Sequence, residues 1–327
     1  MAEEPIAAGA DLGGSLEEHR GSLLVHCYRF LGSYHDAEEA TQETFLRAWR
    51  GRDGFRGDAS VKTWLHRIAT RVCLDQLRRR SSRPSPALVG SPSSPGEPPA
   101  APAGEVTWLE PIPTTYLGDA SVDPESAYTL AESVKLAFVA ALQTLPPRQR
   151  AVLILRDVLG WTAAETAAAL EMSVPATSSA LHRARERLRQ TYHGAGVDSF
   201  PGGEPDDPRV ARMLAAYVRA WQLDDVDGLV ETLRADVRLA MPPMPSWYEG
   251  RDDVVATLRA WVFPMGRYRL APASFNAQPA YVIWQRSADG VEAVAGVQVL
   301  TVDADGISSI DSFLNPGIAD LLSDESR

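Results

Sequence analysis

The pattern of apolar and polar positions divides the 327-residue chain into three parts. Apolar residues recur at spacings of three and four in residues 16–83 and again in residues 125–193, which is the period of an amphipathic helix. From residue 209, two helical stretches are followed by runs in which apolar and polar residues alternate, as in strands. The segments between these parts are rich in Pro, Gly, Ser or acidic residues and are predicted to be disordered or linkers: 1–15, 84–124 and 194–208. The sequence therefore predicts a multidomain protein, with two all-α domains joined by a flexible linker and followed by an α+β domain.

Three helices are predicted in the first domain. The first covers residues 16–33, and a capping-box pattern at Asp36 and Glu39 predicts where the second begins. The second helix is expected to run to Trp49, with Phe45 and Trp49 on its buried face. Its polar residues are left on the open side. The third helix is predicted over 61–80 with an apolar face that includes Trp64, Leu65 and Ile68.

The exposed side of the third helix is strongly basic. Residues 61–83 contain seven basic residues against one acid, Asp75. A surface of one sign at this density is typical of a protein that contacts phosphates. The basic residues are Lys62, Arg67, Arg71, Arg78, Arg79, Arg80 and Arg83.

The net charge of −11 becomes compatible with DNA binding once it is divided along the chain. Residues 16–83 carry +4, whereas residues 84–132 carry −7. Local charge matters more than net charge for binding a polyanion. The two cysteines, Cys27 and Cys73, lie in apolar helical patterns and are predicted to be buried thiols. No metal site or cofactor is expected, because the histidines have no partner ligands of suitable spacing.

A helix-turn-helix pattern lies in the second domain. Thr162 and Glu165 form a capping box that opens a short, alanine-rich helix. A turn follows at 171–174, and the last helix is predicted over 175–189. The residues expected to reach DNA from this last helix are Ser178, Ser179, His182, Arg183 and Arg185.

These two helical domains resemble regions 2 and 4 of the sigma-70 family, specifically the extracytoplasmic-function sigma factors. The resemblance implies that the acidic helix of region 2 binds the β′ clamp helices of core RNA polymerase, through Asp36, Glu39, Gln42, Glu43 and Arg47. It also implies that the loop at 51–60 and the basic helix open and read the promoter −10 element. The residues assigned to −10 DNA are Lys62, Trp64, Arg67, Arg71, Arg78, Arg79 and Arg80. The last helix of region 4 would read the −35 element. Neither region 1.1 nor a folded region 3 is recognised, so we expect another part of the chain to restrain DNA binding.

The segment between the two helical domains contains the sequence Trp-Leu-Glu-Pro-Ile-Pro at 108–113. A Trp-Leu pair is costly to leave in water, so we predict that it docks on a folded domain. The acidic residues that follow have two explanations of equal standing. In relatives the corresponding linker runs towards the RNA exit path, where acids would mimic RNA, but acids also keep a linker soluble.

The last 119 residues resemble SnoaL-like domains, which are cone-shaped members of the nuclear-transport-factor-2 superfamily. Trp247, Tyr248, Trp284 and Asp236 are candidate pocket residues, with Asp311 as a further polar candidate. The domain contains no His, and the aromatic residues suit a core as well as a pocket. We therefore predict a regulatory domain and not an enzyme.

The sequence thus predicts an alternative sigma factor that acts in the cytoplasm, because the N-terminus has no signal-peptide pattern. Its expected partners are core RNA polymerase and promoter DNA, without a membrane. Two alternatives remain. The SnoaL-like domain could be a ligand-binding or weakly catalytic module tethered to a sigma factor, or the chain could be a helix-turn-helix regulator that does not engage polymerase. The sequence does not indicate whether an anti-sigma factor or a small ligand exists.

Overall fold

The structure is a computed structural model that describes residues 16–55, 59–79, 82–102, 104, 106–117, 130–191 and 207–322. The chain forms two compact units. The first unit comprises the described parts of Met1–Arg83 and Thr115–Val197, and the second those of Pro84–Thr114 and Asp198–Arg327. No helix within the described residues is long and apolar enough to cross a membrane.

The first half of the first unit contains three long helices. They are α1 (Arg20–Leu31), α2 (Tyr34–Gly51) and α3 (Val61–Arg79). Their shared core includes Leu23, Cys27, Leu65 and Cys73, all fully buried. Both cysteines are buried free thiols, as predicted.

The start of α2 differs from the sequence prediction. Ser33 is the N-cap residue, and its hydroxyl accepts a hydrogen bond from the backbone N–H of Asp36 at 3.2 Å. The prediction that Asp36 caps this helix is wrong, because Ser33 is equally able to cap and lies where the chain is still extended. Asp36 instead lies inside the first turn, where its negative charge is favoured by the helix dipole.

Within the described residues, the second half of the first unit includes four helices of seven residues or more. They are α4 (Leu136–Gln143), α5 (Pro147–Leu153), α6 (Ala163–Leu170) and α7 (Val174–Thr191), and a π-helical turn at Ile154–Val158 continues α5. The predicted capping box of α6 is present. The Thr162 side chain accepts from the Glu165 N–H, and the Glu165 carboxylate accepts from the Thr162 N–H. Together α6 and α7 form the predicted helix-turn-helix.

The second unit is an α+β domain with a six-stranded sheet. Its helices are α8 (Pro208–Leu223), α9 (Val226–Val230), α10 (Arg251–Thr257) and α11 (Pro316–Asp320). Its strands are β1 (Leu233–Ala240), β2 (Trp247–Glu249), β3 (Arg267–Phe275), β4 (Gln278–Arg286), β5 (Glu292–Asp303) and β6 (Gly306–Phe313). The strand order is β2-β1-β6-β5-β4-β3. Strand β1 pairs with β6 in parallel, and the other neighbours pair antiparallel.

One face of this sheet carries the main core with α8. Tyr217 and Trp221 from α8 pack in a cluster with Tyr268, Tyr281 and Phe263. A chain of buried hydrogen bonds also crosses this core. The Tyr217 hydroxyl donates to Gln298 Oε1 at 2.7 Å, and the Gln298 amide donates to Ser312 at 3.0 Å. These bonds satisfy polar groups that would otherwise be costly to bury.

The segment 84–114, predicted as the first part of a flexible linker, is held against the second unit. Trp108 and Leu109 are buried, which confirms that the Trp-Leu pair docks on a folded domain. The Trp108 indole N–H donates to the Pro243 carbonyl at 2.9 Å. Ile112 and Asn276 also form two hydrogen bonds: the Asn276 N–H donates to the Ile112 carbonyl, and the Ile112 N–H donates to the Asn276 side-chain oxygen. The composition of this segment indicates a flexible linker. The segment is nevertheless docked, because its apolar residues at 108–112 are buried against the domain.

Candidate nucleic-acid and polymerase interface

The predicted cations of α3 lie mostly on an open face. Lys62, Arg71, Arg78 and Arg79 are exposed, and Arg67 is half-buried. Arg80 lies outside the described residues. Asp75 partly neutralises this face, since its carboxylate contacts Arg78 at 3.2 Å. The remaining cations leave α3 strongly positive, as a phosphate-binding surface requires.

A pocket of about 250 Å³ opens beside the start of α3. The Trp64 ring packs on Phe55, with 5.0 Å between their centroids. Two guanidinium groups complete the polar side of the pocket. The lining residues are Gly54, Phe55, Ala59, Trp64, Arg67, Ile68 and Arg71. Aromatic rings with arginine planes are the groups on which proteins stack unstacked nucleobases.

A second surface follows the outer side of α2. Glu39 and Gln42 are exposed there, followed by Leu46 at 51% and Trp49 at 53% exposure. These residues recur every three or four positions, so they form one stripe along the helix. The prediction that Trp49 is buried is wrong. Its ring is covered on one side by the Arg52 guanidinium, 4.4 Å from the ring centroid.

Asp36 does not belong to this exposed stripe. It is buried and forms an ion pair with Arg83 at 2.8 Å. Glu43 and Arg47 also interact within the protein, at 2.7 Å, and Arg47 reaches Asp75 at 3.1 Å. The hydrogen bond that Arg47 donates to the Glu43 carboxylate is the main reason why the pKa of Arg47 is raised. Of the five residues predicted to bind polymerase, the structure presents Glu39 and Gln42 most openly.

The predicted DNA-reading residues of α7 are largely available. Ser178, Ser179, His182 and Arg183 are exposed. Arg185 forms a two-bonded ion pair with Asp157, at 2.9 and 2.7 Å. Arg185 therefore has a structural partner, and the open residues lie in the N-terminal half of the helix, which is the part of a recognition helix that reaches base edges.

Two buried arginines join the two helical halves of the first unit. Arg150 of α5 is fully buried and donates to the Phe30 carbonyl of α1, and to Ser82 at 2.9 Å. It also donates to the Gln143 side chain at 2.7 Å. Arg29 of α1 donates to the carbonyl and the hydroxyl of Ser133. We call Arg29 and Arg150, with these acceptors, the arginine latch.

The latch holds two cations in a desolvated environment. Burial lowers the pKa of Arg29 to about 9 and that of Arg150 to about 10. In the hydrogen bonds of the latch, neutral carbonyl, hydroxyl and amide oxygens take the place of water around the two guanidinium groups. Burying a charge without a counter-charge is costly, so such an interface gives less net stability than its number of hydrogen bonds suggests.

A surface ion pair also links the two halves. Arg71 of α3 contacts Glu171, in the turn of the helix-turn-helix, at 3.0 Å. Arg71 is one of the predicted −10 contacts and also lines the pocket. Arg71, a predicted DNA contact in the first helical half, is therefore held by an ion pair to the second helical half.

The four candidate pocket residues of the second unit are not brought together. Tyr248 faces the core, whereas its neighbour Trp247 points to the opposite face of the sheet. Trp284 stacks on Arg269 at 4.7 Å, and Asp236 is paired with Arg234 at 2.8 Å near the surface. The sequence alone does not predict that these side chains lie on different faces, because alternation along a strand assigns faces only after the register is known.

Among the described residues of this unit, Asp311 is a carboxyl whose pKa is raised. Burial raises its pKa to about 6, although Ser309 donates a hydrogen bond to it at 2.9 Å. Its strand neighbours Ala240 and Val299 are apolar and buried. Raised pKa values mark catalytic groups only when other functional groups converge on them. Among the described residues, no group of three or more His, Cys, Asp or Glu residues is placed to hold a metal ion.

Family models match three parts of the chain. Residues 16–83 match sigma-70 region 2, residues 135–188 match sigma-70 region 4, and residues 214–310 match the SnoaL-like domain. The first two matches contain both arginines of the latch and both candidate DNA surfaces.

Curated relatives match nearly the whole chain. It is 43% identical over 307 residues to the extracytoplasmic-function RNA polymerase sigma factor SigG of Mycobacterium tuberculosis, covering 93% of this chain and 81% of that protein. It is 28% identical over 314 residues to sigma factor SigJ of the same species, covering 92% and 90% of the two chains. The crystal structure of M. tuberculosis SigJ has the same fold, with a TM-score of 0.60 at 21% identity over 94% of this chain and 98% of that one.

Proposed function

Since the chain belongs to the extracytoplasmic-function sigma factors of the sigma-70 family, we propose specific surfaces through which it binds polymerase and promoter DNA, and a way in which its C-terminal domain controls them. The chain is an alternative sigma factor that directs transcription initiation, with core RNA polymerase and promoter DNA as its partners. We place its action in the cytoplasm, where RNA polymerase works. The observation that carries the proposal is the pocket at α3, with its aromatic and cationic lining.

The pocket and the basic face of α3 together suit the −10 element. Phosphate contacts from exposed cations such as Lys62 and Arg78 would position the DNA. Trp64, Phe55 and Arg67 would then hold a base that has left the stack, because planar groups and a guanidinium offer stacking and hydrogen bonds at once. The prediction that Arg71 contacts DNA also requires it to leave Glu171 first.

The stripe of Glu39, Gln42, Leu46 and Trp49 suits core polymerase. Large apolar side chains that remain exposed on a helix are typical of protein interfaces, and Trp is often a dominant contributor to binding. Glu43 and Arg47 lie beside this stripe. Asp36 would act indirectly, because its ion pair with Arg83 fixes the start of α2 against the segment that follows α3.

Helix α7 suits the −35 element. Ser178 and Ser179 are small and exposed near its N-terminal end, so the helix can approach base edges closely. His182 and Arg183 lie one turn further along and could contact bases or phosphates. Arg185 would instead keep α7 in place through Asp157.

We further propose that the arginine latch defines a closed form of the sigma regions. Opening it exposes the two buried guanidinium groups to water, which regains hydration energy and offsets part of the lost hydrogen bonds. The latch is therefore suited to reversible opening.

The C-terminal domain would favour this closed form by holding the linker. In the docked segment the Leu109 N–H donates to the Pro84 carbonyl at 3.0 Å, so two residues about 25 positions apart are in contact. The same length of free chain could extend to roughly 80 Å. Docking therefore removes most of the reach that the linker would provide between regions 2 and 4.

The polymerase surface is tested by measuring the affinity of full-length protein for core RNA polymerase. Leu46→Ala combined with Trp49→Ala should weaken binding by at least tenfold, because it removes the exposed apolar groups of the stripe. Leu223→Ala is the matched control, since Leu223 is 64% exposed but lies in the C-terminal domain. Unchanged affinity in the double variant would refute the assignment of this surface.

The pocket is tested with DNA that carries an unpaired strand. Trp64→Ala should weaken binding of polymerase loaded with this sigma factor to promoter DNA with an open −10 region, with little effect on polymerase affinity. Trp284→Ala, in the C-terminal domain, is the matched control, because it removes a tryptophan of similar burial. If Trp64→Ala lowers only the affinity for polymerase and not the binding of DNA, Trp64 has a structural role and does not hold a base.

We propose no enzymatic role for the C-terminal domain. Its candidate pocket residues lie on different faces of the sheet, and Asp311 has apolar strand neighbours. A small molecule that copurifies with the full-length protein, and whose binding depends on Tyr248, would favour the ligand-binding alternative.

A further inference from the structure

Three tryptophan side chains take part in holding segment 84–114, and each donates its indole N–H to a backbone carbonyl. Trp108 belongs to the segment itself and bonds to Pro243 of the domain. Trp247 and Trp261 belong to the domain, and each donates to a carbonyl of the segment. Trp247 donates to the Gly90 carbonyl at 3.0 Å, and Trp261 donates to the Pro95 carbonyl at 3.0 Å.

Residues 90–100 make two further backbone contacts with the same surface. The Ser93 N–H donates to the Trp247 carbonyl at 2.7 Å, and the Ala100 N–H donates to the Ser246 hydroxyl at 2.8 Å. Donors and acceptors of the domain are therefore matched to backbone groups along residues 90–100, which include a turn where the Glu97 N–H donates to the Ser94 carbonyl at 3.2 Å. Ser246 and Trp247 are buried, so this part of the surface is fixed by packing.

The sequence of this segment explains the type of contact. Residues 90–100 contain Pro92, Pro95, Pro98 and Pro99, and one charged residue, Glu97. Proline has no N–H to satisfy, and it restricts both itself and the preceding residue to extended conformations. Its carbonyl remains a good acceptor. Aromatic surfaces that donate hydrogen bonds to such carbonyls are a general way to recognise polyproline-like peptides.

The docking is superficial along residues 90–100. Ser93, Pro95 and Pro99 are half-buried, whereas their neighbours in residues 91–100 are exposed. By contrast, Trp108, Leu109 and Ile112 are buried. A segment held mainly by part-buried hydrogen bonds opens at lower free energy than one held by buried apolar groups.

We propose that the surface formed by Ser246, Trp247 and Trp261 is a binding site for proline-rich peptides with few charges and a turn like that at 94–97, and that residues 90–100 occupy it in cis as an exchangeable ligand. The site distinguishes its ligand by carbonyls placed opposite two indoles, and by a backbone that proline already restricts before binding. This site stands whether or not the linker controls the sigma regions.

A labelled synthetic peptide of residues 88–102 tests the site by fluorescence anisotropy. The full-length protein should bind it weakly, because the attached segment competes at a millimolar effective concentration. In a full-length variant with Pro92→Ser, Pro95→Ser, Pro98→Ser and Pro99→Ser, the attached segment loses its rigidity and competes less well. That variant should bind the same peptide at least tenfold more tightly.

When they are added to the four-serine variant, substitutions in the site should weaken its binding of the peptide. Trp247→Phe and Trp261→Phe keep an aromatic ring but remove the N–H donor, and each should weaken binding roughly fivefold. Trp284→Phe is the matched control, because Trp284 belongs to the same domain but stacks on Arg269. A peptide in which the four prolines are serines should also bind more weakly.

The four-serine variant should unfold thermally like the unmodified protein. If it does so and still does not bind the peptide more tightly than the unmodified protein, the proposal is overturned. It also fails if Trp247→Phe and Trp261→Phe have no more effect than Trp284→Phe. Hydrogen exchange on the unmodified protein gives an independent check. The amides of Ser93 and Ala100 should exchange faster than those of Ile112 and Asn276, and equally slow exchange would show that residues 90–100 are a fixed part of the domain.

Discussion

Replacing Trp108 with alanine should release the linker from the C-terminal domain. The side chain is 8% exposed, and an aromatic residue of this kind buries about 150–250 Å². At about 25 cal/mol per Å², this corresponds to about 4–6 kcal/mol of apolar burial. Buried Trp→Ala changes typically cost about 3–5 kcal/mol, so we expect a loss of about 4 kcal/mol in linker docking. That loss is about a thousandfold in the docking equilibrium.

Hydrogen exchange on the full-length protein measures this release. The amides of Ile112 and Asn276 bond across the linker and the domain, at 3.0 and 2.8 Å, and should lose most of their protection in Trp108→Ala. The amide of Val299, in the middle of the sheet, should keep its protection.

Two variants separate the contributions of the side chain. Trp108→Phe keeps most of the apolar contact but loses the bond to Pro243, so it should cost about 1–2 kcal/mol. Trp284→Ala removes a tryptophan that does not bond to the linker and should leave the linker amides protected. If Trp108→Ala also leaves Ile112 and Asn276 protected, the reasoning that the linker is held by this side chain is refuted.

Three further results are expected. Burial holds the pKa of His66 down at about 4 and that of His26 well below its usual value, so the unfolded chain takes up protons first as the pH falls below about 6.5. Urea unfolding should show a loss of about 2 kcal/mol between pH 7 and pH 5 from His66 alone, and His66→Gln should reduce this pH dependence. Asp36→Asn should lower the free energy of unfolding of the first unit by about 3 kcal/mol, because it removes the charge of a buried carboxylate that pairs with Arg83 at 2.8 Å; an equal loss in Glu39→Gln, an exposed residue of the same helix, would contradict this. Gly296→Ala should destabilise the C-terminal domain by more than about 2 kcal/mol, since a Cβ there would lie 2.0 Å from the Phe313 carbonyl oxygen, whereas Ala295→Gly should cost less in the same thermal unfolding assay.

Much of the architecture could be predicted from the sequence. Helical spacing identified α1, α2 and α3, and the Thr162–Glu165 capping box identified the start of α6, because both signals are local. The resemblance to the sigma-70 family is confirmed, as are the SnoaL-like domain and the sigma-factor function. The roles of individual DNA-binding and polymerase-binding residues stay predictions.

Local sequence patterns do not predict a residue's environment where that environment depends on distant parts of the chain. Trp49 has the spacing of a core residue, but the neighbouring helices do not cover it. The latch residue Arg150 was not singled out, since an arginine gives no local sign of burial. The short strand β2 was missed because three residues are too few for alternation to be visible. Composition predicts the linker, but two of the three tryptophans that hold it come from positions 247 and 261.

The affinity of full-length protein for core RNA polymerase, with and without Trp108→Ala, tests the central claim most directly. We predict that the unmodified protein binds and that Trp108→Ala binds more tightly, because a released linker allows the sigma regions to separate. The variant with Leu46→Ala and Trp49→Ala should bind more weakly in the same assay. Equal affinities for the unmodified protein and Trp108→Ala would contradict control by the linker, and no binding by any form would contradict the assignment of the polymerase-binding surface.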